Sequence, residues 1–371
     1  MTDAHEFIPA ARPVIAEEEI EAAVRVLRSG MVVQGPEVAA FEEEFSDLVD
    51  GRHCVAVNSG TSALHLALMA LNIGPGDEVI VPSFSFAASA NVVRLVGADV
   101  VFADIEADTF CLDPAAVEAA ITPRTAAIMP VHLYGHPAAM DKIMAIAEKH
   151  GLAVVEDACQ AHAAALNGTP VGAFGAAGTF SFYPTKNMHS LEGGMISTGD
   201  AEVARTLRLL RNQGMEQRYA NEIVGANVRM TDVSAAIGRV QRRKLDGWTE
   251  QRIANAAYLT EHITAPNVVT PKVADGARHI YHQYTVRIEG DRDAAMARLT
   301  EAGIGNAVYY PTPIHRLKPY WEPDQKAGRT WDLPETERAA AAVVSLPVHP
   351  ALSAADLERI VAAVNALGEQ L

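Results

Sequence analysis

Residues 126–159 read AAIMPVHLYGHPAAMDKIMAIAEKHGLAVVEDAC. Two short apolar runs flank MDKIMAIAEKHG, whose apolar residues recur with the period of a helix. Strand, helix, strand in so short a span is the unit that joins parallel neighbours of a sheet through a right-handed crossover. The unbroken run LAVVE suits a strand covered on both faces.

The same rhythm extends toward the N-terminus. HCVAVNSG (53–60) is a strand ending in a small-residue turn, and TSALHLALMALN (61–72) is the helix behind it. DEVIVPSFSF is a strand and loop, AASANVVRLVG a helix closed by Gly97, and ADVVFADI a strand. DPAAVEAAI is a helix with a cap at Asp113 and proline in its first turn. Residues 15–29 form a helix before the sheet begins. Residues 177–198 break the pattern, because GTFSFYP and GGMISTG are two strand candidates with no helix between them. Further on, AEVARTLRLLRNQG is helical, and the helix from TDVSAAIG to EHI runs long or bends near Gly247. Beyond about residue 250 the order is strand (YHQYTVRI), helix (DRDAAMARLTEAG), strand (NAVYYPTPI) and a terminal helix from Ser353. The expectation is an α/β protein with a mostly parallel sheet and a smaller C-terminal α+β domain. Its parts are an N-terminal segment (1–30) packing on the main domain, a large domain (31–250) and the small domain (251–371).

Composition bounds the function. The chain has 371 residues, 49% of them hydrophobic, and a net charge of −16. That charge argues against nucleic acid and anionic membrane as partners. No apolar run approaches the ~20 residues of a membrane span. The polar, acidic N-terminus is unlike a signal peptide. The cysteines, Cys54, Cys111 and Cys159, are odd in number and scattered, as in reduced thiols of a cytoplasmic protein. His132, His136, His162 and His189 match no zinc spacing, so no metal is expected.

In open α/β sheets ligands bind beyond the carboxyl ends of the strands. Asn58-Ser59-Gly60-Thr61 stands between a strand and a helix start, where backbone N–H groups favour a phosphate; a plain capped turn reads equally well. Glu156 and Asp157 close a buried strand and point to opposite sides, so one can face a site. A buried aspartate needs a strong partner, such as a pyridinium or an arginine. Lys186 is one of seven lysines and the one that follows an apolar, aromatic run, FSFYPT. Burial keeps part of a lysine unprotonated, as attack on a carbonyl requires. Ser181 can turn its hydroxyl to the same pocket. A phosphate cup, an aromatic at Phe86, a carboxylate and a lysine together match pyridoxal phosphate, which binds lysine as a Schiff base and pairs its ring nitrogen with an acid.

These residues carry a resemblance. NSGTSALHLAL (58–68), VIVPSFSFAASANVV (79–93), VVEDACQAHAA (154–164), FSFYPTKNMHSLEGGMIST (180–198) and GANVRMTDVSAAIG (225–238) resemble, in order and spacing, the DegT family of pyridoxal-phosphate-dependent sugar aminotransferases. The resemblance implies the aspartate aminotransferase fold, fold type I, with a seven-stranded sheet. It implies that Lys186 forms the Schiff base and shuttles the proton, and that Asp157 pairs with the pyridine nitrogen. Phe86 would stack on the ring, Gly60, Thr61 and Ser181 would contact the phosphate, and Gln160 would lie near the ring hydroxyl. Asn227 would reach the phosphate of a neighbouring subunit, which makes the functional unit a homodimer. The substrates implied are L-glutamate as amino donor and a nucleotide-linked keto-deoxyhexose. The Lys-Asn…Glu-Gly-Gly loop resembles members that aminate C4; amination at C3, or of a cyclitol ketone, is the alternative. A non-catalytic regulatory relative is a third reading, against which Lys186 speaks, since members that turned to dehydration carry histidine there.

Overall fold

In the computed structural model residues 7–369 are described. Seven strands form the main sheet: β1 His53–Val57, β2 Glu78–Pro82, β3 Asp99–Ala103, β4 Thr125–Ile128, β5 Ala153–Asp157, β6 Ala177–Ser181 and β7 Gly194–Thr198. Their spatial order is β1-β7-β6-β5-β4-β2-β3. Only β7 runs against the others, pairing antiparallel with β1 and β6. The mostly parallel, seven-stranded sheet is therefore present. The break in rhythm at 177–198 is its cause: without a crossover helix, β6 and β7 can only pair antiparallel.

Strand alternation divides the core. Val79 and Val81 of β2 pack in one cluster with Val55, Val155 and Leu64. Ile80, between them, packs on the opposite face with Ile128, Val154 and Ile143. Helices Gly60–Ala70 and Ala201–Arg211 thus cover one face, and Met140–His150 part of the other. The central run Glu78–Pro82 is buried along its whole length, as its apolar sequence required.

Asp232–His262 is one unbroken helix of 31 residues that continues through Gly247, where a Cβ would meet nothing within 4 Å. Thr231 caps it, its hydroxyl accepting from Ser234 N at 3.1 Å. The C-terminal sheet orders β8 Val268–Val269, β9 Tyr284–Ile288 and β10 Val343–Leu346 as β8-β9-β10. NAVYYPTPI is not a strand. Only Ala307 bridges to Ser345, and Tyr310 stands at φ 62°, which ends any extended run. Sequence reading missed β10, whose VVSL run follows directly on the helix Pro334–Ala342. Ile8 belongs to the C-terminal core, with Ile304 and Leu299, while Ala22 and Val26 of helix Glu17–Ser29 pack on Ala236 and Val240 of the long helix.

Candidate active site

The carboxyl ends of β1, β2, β5 and β6 open on one cavity of about 630 Å³. Gly60, Thr61, Phe86, Asp157, Gln160, Ser181 and Lys186 all line it. Residues up to 126 positions apart in sequence, from Gly60 to Lys186, meet there because parallel strands bring their ends to one edge. Asn227 does not line this cavity. It is exposed, bridges by its backbone to Asn212, and accepts from Arg229 Nε at 2.9 Å.

The helix after β1 begins at Gly60, and Ser59 caps it, accepting from Ser62 N at 3.1 Å. The amides of Gly60 and Thr61 belong to the first turn, which has no intrahelical acceptors. No side chain fits at Gly60: a Cβ would stand 2.7 Å from Ser181 Cβ and 3.0 Å from Cys159 Sγ. The turn and β6 therefore press together, and Ser181 joins the helix N-terminus at the floor of the cavity. Gly194 serves the same approach, since a Cβ there would lie 2.4 Å from the Ser59 carbonyl oxygen. This accounts for the second glycine of Glu-Gly-Gly.

Alternation along β5 separates the two acids. Asp157 faces the cavity, 5% exposed, accepting from Ser89 Oγ at 2.8 Å and Cys159 N at 3.2 Å. Among the described residues no cation forms an ion pair with it. Two neutral donors leave much of a buried carboxylate's capacity unmet, which a protonated pyridine nitrogen would fit. Glu156 faces away and is fully buried. It accepts from Gly172 N at 2.7 Å, Phe174 N at 2.8 Å and Gly175 N at 2.9 Å, with His132 Nε2 at 3.1 Å. Burial pushes its pKa up, but His132 and these amides outweigh that and hold it below the ordinary value. GAFGAAG (172–178), which has the look of a nucleotide loop, is thus a cradle for an internal carboxylate.

Lys186 sits on the turn that opens the loop between β6 and β7, its amide donating to Tyr183 O at 2.9 Å. Burial draws its ammonium pKa below the ordinary value, opposed by Cys159 and Asp157. Among the described residues it is the single lysine or arginine lining the cavity. Burial also pushes the Cys159 thiol well above its ordinary pKa, so this cysteine is no nucleophile.

The outer wall comes from the C-terminal part of the chain: His282, Gln283, Tyr309 and Tyr310. Gln160 ties the two parts together, accepting from Tyr134 N at 2.9 Å and donating to Tyr310 Oη at 2.6 Å. Tyr309 and Tyr310 reach the cavity from the stretch NAVYYPTPI. His282 and Gln283 left no signal in the sequence; they precede a buried strand and reach the cavity only through domain packing. Among the described residues no cluster of three or more His, Cys, Asp or Glu has metal-binding geometry. Nor is any described helix long and apolar enough to cross a membrane.

A parallel sheet with one reversed strand, a buried aspartate with no ion-pair partner among the described residues, a helix N-terminus and a half-buried lysine at its edge define a fold-type I enzyme that holds pyridoxal phosphate. The DegT/DnrJ/EryC1/StrS aminotransferase family model matches residues 13–365, and the chain belongs to this family. It is accordingly a pyridoxal-phosphate-dependent aminotransferase. It is similar to the dTDP-3-amino-3,4,6-trideoxy-alpha-D-glucose transaminase of Streptomyces venezuelae, 42% identical over 98% of this chain and 96% of that protein. It is also similar to the erythromycin biosynthesis sensory transduction protein EryC1 of Saccharopolyspora erythraea, 44% identical over 93% of this chain and 94% of the relative. Among solved structures, S. venezuelae DesV in complex with a ketimine intermediate superposes with a TM-score of 0.92 at 40% identity, covering 98% of this chain and all of that one.

Proposed function

We propose that this enzyme moves an amino group from L-glutamate to a nucleotide-linked keto-deoxyhexose. The observation that carries the reading is the placement of Lys186 and Asp157 on one cavity, at the ends of neighbouring strands, while Glu156 turns away. Pyridoxal phosphate, when bound, supplies an electron sink for the carbon that loses its proton. The chain's residues do the rest. Lys186 would hold the cofactor covalently when no amine is bound, and its Nζ would pass the proton taken from the donor carbon to the cofactor and, in the second half-reaction, a proton from the cofactor to the sugar carbon. Asp157 keeps the ring nitrogen protonated. Gly60, Thr61 and Ser181 would bind the phosphate, Phe86 would cover the ring, and Gln160 would lie on the side of its hydroxyl. Asn227, exposed and off its own cavity, serves the phosphate of a second copy, so the working unit is a homodimer. Free cysteines are in keeping with a cytoplasmic enzyme.

The Glu192 that follows the lysine loop lines the cavity, and its Glu-Gly-Gly context favours amination at C4. The S. venezuelae relative named for a 3-amino sugar favours C3 as the second reading. The test is to incubate holoenzyme and glutamate with nucleotide 4-keto and 3-keto hexoses and to locate the new amine by NMR. Turnover of none of them would sink the sugar assignment. Hybrid dimers of Lys186→Ala and Asn227→Ala protomers regain activity if Asn227 acts across the interface; well-mixed hybrids without recovery would refute it.

A further inference from the structure

His282 lines the cavity that holds Lys186 and is 6% exposed. Its surroundings fix its tautomer. Asn187, the residue after Lys186, donates its Nδ2 to Ile280 O at 3.2 Å, which turns its Oδ1 toward His282. The 3.3 Å contact between that oxygen and His282 Nδ1 therefore needs the proton on Nδ1. Nε2 is left as a bare acceptor, and among the described residues it has no hydrogen-bond partner.

The segment bearing His282 is held by three further hydrogen bonds. Ile280 N donates to Gly135 O at 3.0 Å, Arg252 Nη1 to Tyr281 O at 3.2 Å, and Gln283 N to Tyr134 O at 3.2 Å. So firm a mount on an imidazole joined to the residue beside the lysine suits a positioning task.

We propose that His282 is a positioning residue for amino transfer, its proton-free Nε2 accepting an N–H of the Lys186 ammonium. The inference rests on the reading of Lys186 as the proton carrier. When Nζ has taken a proton from the donor carbon it is an ammonium with three N–H groups. One is held by Nε2, and that anchor sets the direction in which the remaining two are delivered. The groups facing Lys186 are Asp157, Cys159 and His162 from the large domain and His282 from the C-terminal side. Of these, His162 is buried against Phe180 and Phe182 and lines no part of the cavity. Burial, with Lys186 nearby, holds His282 well below its ordinary pKa, so the imidazole stays neutral and remains an acceptor.

The test separates this from the substrate assignment, because it is read on cofactor-free enzyme. The pH dependence of Lys186 acetylation by acetic anhydride is followed by mass spectrometry. His282→Asn keeps an amide near the Nδ1 position and removes the Nε2 acceptor. Its labelling midpoint is expected to fall by about one pH unit, the worth of one charge-assisted hydrogen bond. His282→Gln, with an amide oxygen near the Nε2 position, restores the midpoint. An unchanged midpoint in His282→Asn, or the same fall in His282→Gln, overturns the proposal. Wild-type enzyme gives a second reading should the Asn variant not fold. In ¹⁵N NMR of the imidazole, Nδ1 of His282 is protonated, Nε2 is not, and the Nε2 resonance moves when cofactor occupies Lys186. A protonated or unmoved Nε2 refutes it.

Discussion

Glu156→Gln is the sharpest probe of how the sheet presents Asp157. The carboxylate accepts four hydrogen bonds, two at each oxygen. His132 cannot adapt to an amide: its Nδ1 accepts from Ala138 N at 3.0 Å, so its Nε2 bears the proton. A glutamine oxygen can keep Phe174 and Gly175. Its NH₂ then faces two further donors, Gly172 N and His132 Nε2, with no acceptor between them. Two bonds to a charged group are lost and two buried donors are left unmet. At ~1.5–3 kcal/mol each, the cost is about 3–6 kcal/mol, against a typical total stability of ~5–15 kcal/mol. With a urea slope of ~3 kcal/mol/M, the apparent unfolding midpoint of the holoenzyme falls by about 1–2 M. Affinity for pyridoxal phosphate falls too, since the same strand end carries Asp157. Urea titration read by circular dichroism, with Glu118→Gln as an exposed control, measures the first effect, and cofactor titration the second. A Glu156→Gln midpoint indistinguishable from wild type would refute the argument that this carboxylate is ionised and anchored.

Lys186→Ala should bind cofactor without the absorbance band of the lysine-bound form, and transamination should fall by at least ~10²–10⁴-fold, the range lost with a general acid–base group; a retained band would move the attachment elsewhere. Asp157→Asn should keep the band and lose turnover, and unchanged turnover would mean another partner for the ring nitrogen. In Gly60→Ala, a Cβ 2.7 Å from Ser181 Cβ should cost ~1–3 kcal/mol of overpacking and weaken cofactor binding measurably by fluorescence titration; wild-type affinity would show that the turn yields freely. Burial lowers His136 to about 4, and His162 and His279 to about 3, from 6.5. The folded state therefore stays neutral while the unfolded chain takes up protons, so stability is full above pH 6.5 and is lost as pH falls toward 4 to 3. Each histidine contributes roughly 2 kcal/mol of that loss by pH 5, so urea midpoints should drop between pH 7 and pH 5; a flat profile would show these histidines to be protonated in the fold.

Much of this was legible before any coordinates. Lys186, Asp157 and Ser181 stand at ends of apolar runs, and the helix and strand periods place those ends on one edge. The missing crossover between β6 and β7 was visible as two strands with only a polar loop between them. Other features had no local mark. Tyr310 lies in what reads as a strand, and a left-handed residue stops it. His282 sits ahead of a buried strand, and nothing nearby announces a cavity.

The sequence by itself determined the periods, the strand ends and the residue types of the cofactor site, because hydrophobic alternation and chain punctuation are local properties. Tertiary structure alone decided which of two adjacent acids serves the cavity and which is clasped by Gly172, Phe174 and Gly175, because that depends on which face of β5 each layer covers. It likewise decided that His282 and Lys186 line one cavity. Two segments 96 positions apart in sequence, 186 and 282, share it only because the C-terminal part of the chain packs over the open edge of the sheet.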